Sequence, residues 1–121
     1  MDEWNKGLVA HLGIRIVEIG PDRVVGELDV RDELKTTTAA VHGGTLMALA
    51  DTVGAVGTAA LGFKTATLES KTNFFAAATS GKIRAEATPL HKGKRSHVWQ
   101  TRVTDESGRL LSLTIQTQMI L

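Results

Sequence analysis

No cysteine occurs in the 121-residue chain, which excludes disulfides, thiolate metal sites and a cysteine nucleophile, and fits an intracellular protein. Aromatic residues are few and scattered: Trp4, Phe63, Phe74, Phe75 and Trp99 suit core or pocket lining better than a stacking surface for nucleic acid. Neither charge sign dominates. A formal net charge of +1 gives no global electrostatic case for nucleic acid or an anionic membrane, so any basic site has to be local. Reactive motifs are missing as well. There is no His-x-His, no His-Glu-x-x-His and no ligand-spaced partner for His11 or His97, so no metal site is expected. Gly-x-Ser-x-Gly is absent, which removes the nucleophile elbow of serine hydrolases. Thr79-Ser80-Gly81-Lys82 lacks the upstream glycine and the following Ser or Thr of a phosphate-binding loop. The N-terminus carries acids early and has no basic head with an apolar core, so export is not expected and the cytoplasm is.

What the chain does contain is one long run with almost no charge. From Val41 to Phe63 (VHGGTLMALADTVGAVGTAALGF) Asp51 is the only charged residue. The run is long enough to cross a bilayer, yet it is rich in Ala, Gly and Thr and carries a mid-segment carboxylate that lipid would penalise. A buried helix is the better reading. Around it the pattern is that of strands. Trp4, Leu8 and Leu12 have the spacing of a short amphipathic helix closed by Gly13, and two strands follow, Ile14 to Ile19 and Val24 to Val30, joined at Gly20-Pro21-Asp22. Arg31 to Ala40 reads as a loop. Beyond the helix, strands are expected over Thr65 to Phe75, Lys82 to Thr88, Val98 to Thr104 and Leu110 to Leu121, with Pro89 interrupting the second of these before a basic loop, His91 to Arg95. In the last strand Leu111, Leu113, Ile115, Thr117, Met119 and Leu121 share a face opposite Ser112, Thr114, Gln116 and Gln118. The length fits one domain, residues 1–121, of the α+β class: a curved antiparallel sheet of five to six strands wrapped around one long central helix.

The helix itself predicts more than packing. At about 100° per residue, Leu46, Leu49, Val53, Val56 and Ala60 gather on one side, while Gly44, Ala48, Asp51, Ala55, Thr58 and Gly62 fall on the other. An uncharged second side predicts a cover, either a second copy of the chain or a ligand. Asp51 lies on that side with no basic residue one turn away, and a carboxylate so placed is more often kept for chemistry than for stability. His42-Gly43-Gly44 stands at the helix start, where unpaired backbone N–H groups at the positive end of the dipole can receive a developing oxyanion.

The segment HGGTLMALAD resembles the signature of the hotdog-fold thioesterases, in particular the group similar to the phenylacetic-acid-degradation thioesterase PaaI. The order of expected elements matches a hotdog domain over nearly the whole chain. The resemblance implies hydrolysis of an acyl-CoA thioester. Asp51 would be general base or nucleophile, the Gly43 N–H would polarise the carbonyl, and His42 and Gly44 would position the thioester. Thr67 would hold a hydroxyl near the attacking water. Relatives usually carry Asn or Gln six residues before the His, where this chain has Thr36, a single hydroxyl in place of an amide. The resemblance also implies a homodimer, paired further into a homotetramer, with each site shared between subunits. No cofactor is implied beyond the coenzyme A of the substrate. Lys92, Lys94 and Arg95 could meet its phosphates, or form a solvated turn. Two other readings compete: a hotdog dehydratase or hydratase, and a non-catalytic acyl-CoA-binding or regulatory hotdog protein.

Overall fold

The computed structural model describes residues 2–121. A 3-10 turn at Asp2–Trp4 leads into helix α1 (Gly7–Leu12), strands β1 (Arg15–Gly20) and β2 (Arg23–Asp29), a second 3-10 turn at Asp32–Leu34 and helix α2 (Gly43–Ala59). Strands β3 (Thr65–Phe74), β4 (Lys82–Lys92), β5 (Ser96–Thr104) and β6 (Leu110–Ile120) complete the chain. The six strands form one antiparallel sheet in the order β1-β2-β4-β5-β6-β3, curved around α2. No helix among the described residues is long and apolar enough to cross a membrane.

Leu46, Leu49, Val53 and Val56 pack onto Val24, Leu28, Ile83, Ala85, Trp99 and Val103, so the core lies between helix and sheet. Glycines set the spacing. A Cβ at Gly57 would fall 2.5 Å from the Trp99 ring, and one at Gly54 would fall 2.2 Å from the Gln116 amide. The small residues of α2 thus serve the sheet side as well as the outer side. The helical-wheel division needs correcting at its C-terminal end: Thr58, expected on the outer side, is fully buried, and Ala60, expected against the sheet, caps the helix and is exposed.

One further expectation changes. Strand β4 does not stop at Pro89 but continues to Lys92, because β2 pairs with it only as far as Ala87 and leaves the proline on a locally open side. A bulge between Pro89 and His91 absorbs the missing donor. The basic loop therefore shrinks to the turn at 93–95. In β6 the polar row, Ser112, Thr114, Gln116 and Gln118, is the one buried under α2, whereas Ile115 and Met119 are each 39% exposed on the outer surface.

Candidate active site

The α2 N-terminus is fixed from both flanks. Val41 N–H donates to the Ala78 carbonyl at 2.9 Å and His42 N–H to the Leu34 carbonyl at 2.8 Å. His42 then caps the helix, its Nδ1 accepting the Gly44 N–H at 2.7 Å. With Nδ1 an acceptor, neutral His42 carries its proton on Nε2, on an exposed ring. Thr45 N–H donates to the His42 carbonyl at 2.9 Å. Among the described residues the Gly43 N–H alone of these three has no acceptor. The ring of Phe74, at the end of β3, lies against Gly43, 3.1 Å from where a Cβ would stand.

Half-buried Asp51 lies two helical turns further on, facing β3 and β6. Thr67 donates its hydroxyl to Asp51 Oδ1 at 2.6 Å, and Gln116 Nε2 donates to the same oxygen at 3.1 Å and to the Asp51 carbonyl at 3.3 Å. Oδ2 accepts no hydrogen bond and no cation pairs with the carboxylate among the described residues. Behind Thr67, Gln118 Nε2 donates to the Thr67 hydroxyl at 2.6 Å, and Thr65 donates to Gln118 Oε1 at 3.0 Å. The two glutamines were not singled out as site residues from the sequence. Their signal was there in the polar row of β6, which hydrophobicity alone would turn outward.

The remaining predicted residues are placed as follows. Thr36 turns its hydroxyl into its own loop, accepting the Thr38 N–H at 3.0 Å and meeting the Thr38 hydroxyl at 2.8 Å. Lys92 reaches back to the β1–β2 turn, donating to the Pro21 carbonyl and pairing with Asp22 at 3.0 Å. Lys94 and Arg95 are exposed and have no acidic partner among the described residues. Backbone bonds from Ile120 to Arg95 and from Leu121 to Lys64, each 2.9 Å, set Lys64 beside them, a third cation that the sequence reading did not include.

One cavity flanks these groups and another lies apart from them. One of about 270 Å³ lies beside His42 and Gly44, between α1 and α2, walled by Leu8, Leu12, Leu34 and Ala48 with Glu33 and Lys35 at its rim. A larger one, about 480 Å³, lies between the N-terminal turn and β1, lined by Trp4, Arg15 and Ile16, and holds none of the candidate residues. His97, buried and unused by the site, has a structural explanation. Trp99 Nε1 donates to Thr58 Oγ1, which also meets His97 Nδ1, both at 2.9 Å. Burial first, then the positive charges of Lys92 and His91, hold the His97 pKa below the ordinary imidazole value.

Comparison with known proteins identifies the family. The family model described as the thioesterase superfamily matches residues 38–112, more than half of the chain. The 1,4-dihydroxy-2-naphthoyl-CoA hydrolase of Escherichia coli is 34% identical, covering 100% of this chain and 90% of its own. A crystal structure of a thioesterase from Haemophilus influenzae, 28% identical, superposes with a TM-score of 0.94 over 99% of this chain and 86% of that one. The E. coli PaaI protein of the phenylacetic acid degradation operon shares the fold, with a TM-score of 0.92 at 22% identity, covering 97% of this chain and 86% of that one. The chain belongs to the thioesterase superfamily: it is a hotdog-fold thioester hydrolase.

Proposed function

We propose that the protein hydrolyses an acyl-CoA thioester to the free acid and coenzyme A, with Asp51 as the reacting carboxylate. The observation that carries this reading is the division of labour within that carboxylate: Oδ1 accepts two hydrogen bonds while Oδ2 has no partner. In the reaction, Oδ2 takes a proton from water as the water oxygen attacks the thioester carbonyl. The C–S bond then breaks and the sulfur leaves with that proton. Attack by Oδ2 itself, through an acyl-enzyme anhydride, uses the same free oxygen. The unpaired Gly43 N–H supplies the oxyanion contact, and the His42 Nε2 proton orients the thioester.

Two copies of the chain build the site. Gly43 and Asp51 are eight residues apart on one helix, about 12 Å of rise, which is too far for direct attack by Asp51 on a carbonyl held at the same chain's Gly43. The missing half is supplied across β3. This ten-residue strand is an open edge with Leu68 64% exposed, and Asp51 is bonded to it through Thr67. A second copy pairing there covers the open side of α2 and brings its own Gly43 toward Asp51, and such dimers associate further in pairs. The acyl group enters the slot beside His42 and Gly44, while Lys64, Lys94 and Arg95 meet the coenzyme A phosphates. Lys92 braces a turn. The similarity to a CoA-thioester hydrolase supports the substrate class.

The test is release of free thiol from a panel of aromatic, medium-chain and short-chain acyl-CoAs, with light scattering to count subunits. Turnover of at least one thioester by a dimer or tetramer is expected. Tight acyl-CoA binding without thiol release, or hydration of an enoyl-CoA with the thioester intact, would replace this reading with a binding module or a hydratase.

A further inference from the structure

We infer that Gln116 and Gln118 of β6 are positioning residues that hold Asp51 ready for thioester hydrolysis by directing hydrogen-bond donors onto one of its two carboxylate oxygens. The inference rests on the hydrolytic reading given above.

The direction of the bonds between Asp51, Thr67 and the Gln118 amide is set from the carboxylate end. An ionised Asp51 only accepts, so the single proton of Thr67 points to Oδ1 at 2.6 Å. The Thr67 oxygen then faces Gln118 as an acceptor, which turns the Gln118 NH2 toward it at 2.6 Å. The Gln118 carbonyl is left facing the Thr65 hydroxyl at 3.0 Å, whose single proton is shared between it and the Met119 carbonyl at 2.8 Å. Strand register supports the alignment, since Thr67 is the direct cross-strand partner of Gln118. A glutamine that donates into Thr67 leaves that hydroxyl no option but to give its proton to Asp51.

Gln116 makes the functional reading stronger than a structural one. Its NH2 spans the Asp51 carbonyl and Oδ1, yet its own Oε1, like the nearby hydroxyls of Thr101 and Ser112, is buried with no hydrogen-bond partner among the described residues. An orphaned buried carbonyl is costly, and an apolar side chain of similar size would avoid that cost. Rotating the amide by 180° would set Oε1 against the carboxylate. Gly54 is what lets the amide lie this close to the helix, because any Cβ there would overlap it. Stability alone gives no reason to bury this amide unsatisfied beneath a glycine; aiming a donor at Asp51 does.

The consequence for the reaction is that the carboxylate is clamped through Oδ1 and reacts through Oδ2. Neither glutamine touches substrate, and both act through Asp51.

The experiment compares Gln116→Met, Gln118→Met, Gln118→Glu, Thr67→Val and the double variant Thr67→Val/Gln118→Met with wild type. Thermal unfolding, kcat and KM are measured for the acyl-CoA that wild type hydrolyses best. Thr114→Val, on the same buried row but bonded to Thr72, serves as a control. Gln116→Met is expected to keep or raise Tm while kcat falls roughly tenfold with KM within about twofold, as for loss of one hydrogen bond to a charged group. Gln118→Met and Gln118→Glu are expected to lower kcat several-fold, and the double variant to be no slower than Thr67→Val alone. Thr114→Val lowers Tm only. Additive losses in the double variant, or glutamine variants that move Tm and leave kcat unchanged, would overturn the inference. The side-chain amide resonances of Gln116 and Gln118 are followed by NMR in Asp51→Ala, which removes the accepting oxygen, independently of turnover. Unshifted amides refute the clamp, whereas shifted amides in a protein that hydrolyses no thioester refute only the hydrolytic reading.

Discussion

Thr67 on the edge strand β3 and Asp51 in the middle of α2 are joined by a 2.6 Å hydrogen bond, the shortest tie between the helix and the open edge of the sheet at this site. It locates the Asp51 carboxylate where the helix, the last strand and the open edge strand β3 converge. The same bond explains why one oxygen of Asp51 is committed and the other free.

Helix and sheet approach so closely at two glycines that a methyl group is not tolerated. Gly57→Ala places its Cβ 2.5 Å from the Trp99 ring and is expected to cost about 1–3 kcal/mol, read as a lower Tm, with kcat preserved in the folded fraction. Gly54→Ala collides with the Gln116 amide and is expected to lower both Tm and kcat. Equal kcat in the two variants would show that Gln116 does not matter to turnover.

The exposed cations differ in their surroundings: Lys92 is tied to the β1–β2 turn, whereas Lys94 and Arg95 have no acidic partner among the described residues. Charge reversal at Lys94 and Arg95 is expected to raise KM for an acyl-CoA about tenfold or more, and to leave KM for the matching acyl-pantetheine, which lacks the nucleotide phosphates, within twofold. Lys92→Ala, which only frees the Pro21-Asp22 turn, is expected to leave both constants unchanged. Steady-state kinetics on the two substrates checks this.

If the acyl group occupies the slot between α1 and α2, the volume of that slot limits the acyl groups accepted. Ala48→Leu adds bulk to a cavity of about 270 Å³ and is expected to cut kcat/KM for the longest or widest acyl group by tenfold or more while sparing acetyl-CoA. An unchanged acyl profile would move the acyl site elsewhere, the larger cavity at Trp4 being the first alternative.

Acid sensitivity follows from His97. Its folded pKa is held below the ordinary value, so the unfolded chain binds the extra proton first and stability falls as pH drops below about 6.5 toward the folded value. Urea titrations at pH 7.5 and 5.5 are expected to show a loss at the lower pH that His97→Gln reduces. An identical loss in the variant would assign the effect to other groups.

Much of this was legible in the sequence. The uncharged helix, the HGG cap and the lone Asp51 specified a wrapped helix with a half-buried carboxylate on its outer side, and small residues and turns bounded most strands. What escaped did so for definite reasons. Pro89 breaks a strand only where both neighbours demand its missing donor, and the end of β2 at Ala87 is a tertiary fact. Gln116 and Gln118 alternate with aliphatic residues, and only the partner groups Asp51 and Thr67 explain why the polar row is the one buried. Thr58 could not be assigned to the sheet side without knowing that Trp99 and His97 converge on its hydroxyl. Lys64 and Arg95 come together only because β6 runs between their backbones.

The central claim, that Asp51 is the reacting carboxylate, is tested most directly by kcat of Asp51→Asn on the acyl-CoA that wild type hydrolyses fastest. The side chain keeps its size and can still accept from Thr67, but it loses the basic, nucleophilic oxygen. The expected result is a loss of at least about 10²- to 10⁴-fold in kcat with KM within a few-fold and Tm near that of wild type. A folded variant that retains kcat within tenfold of wild type would contradict the account.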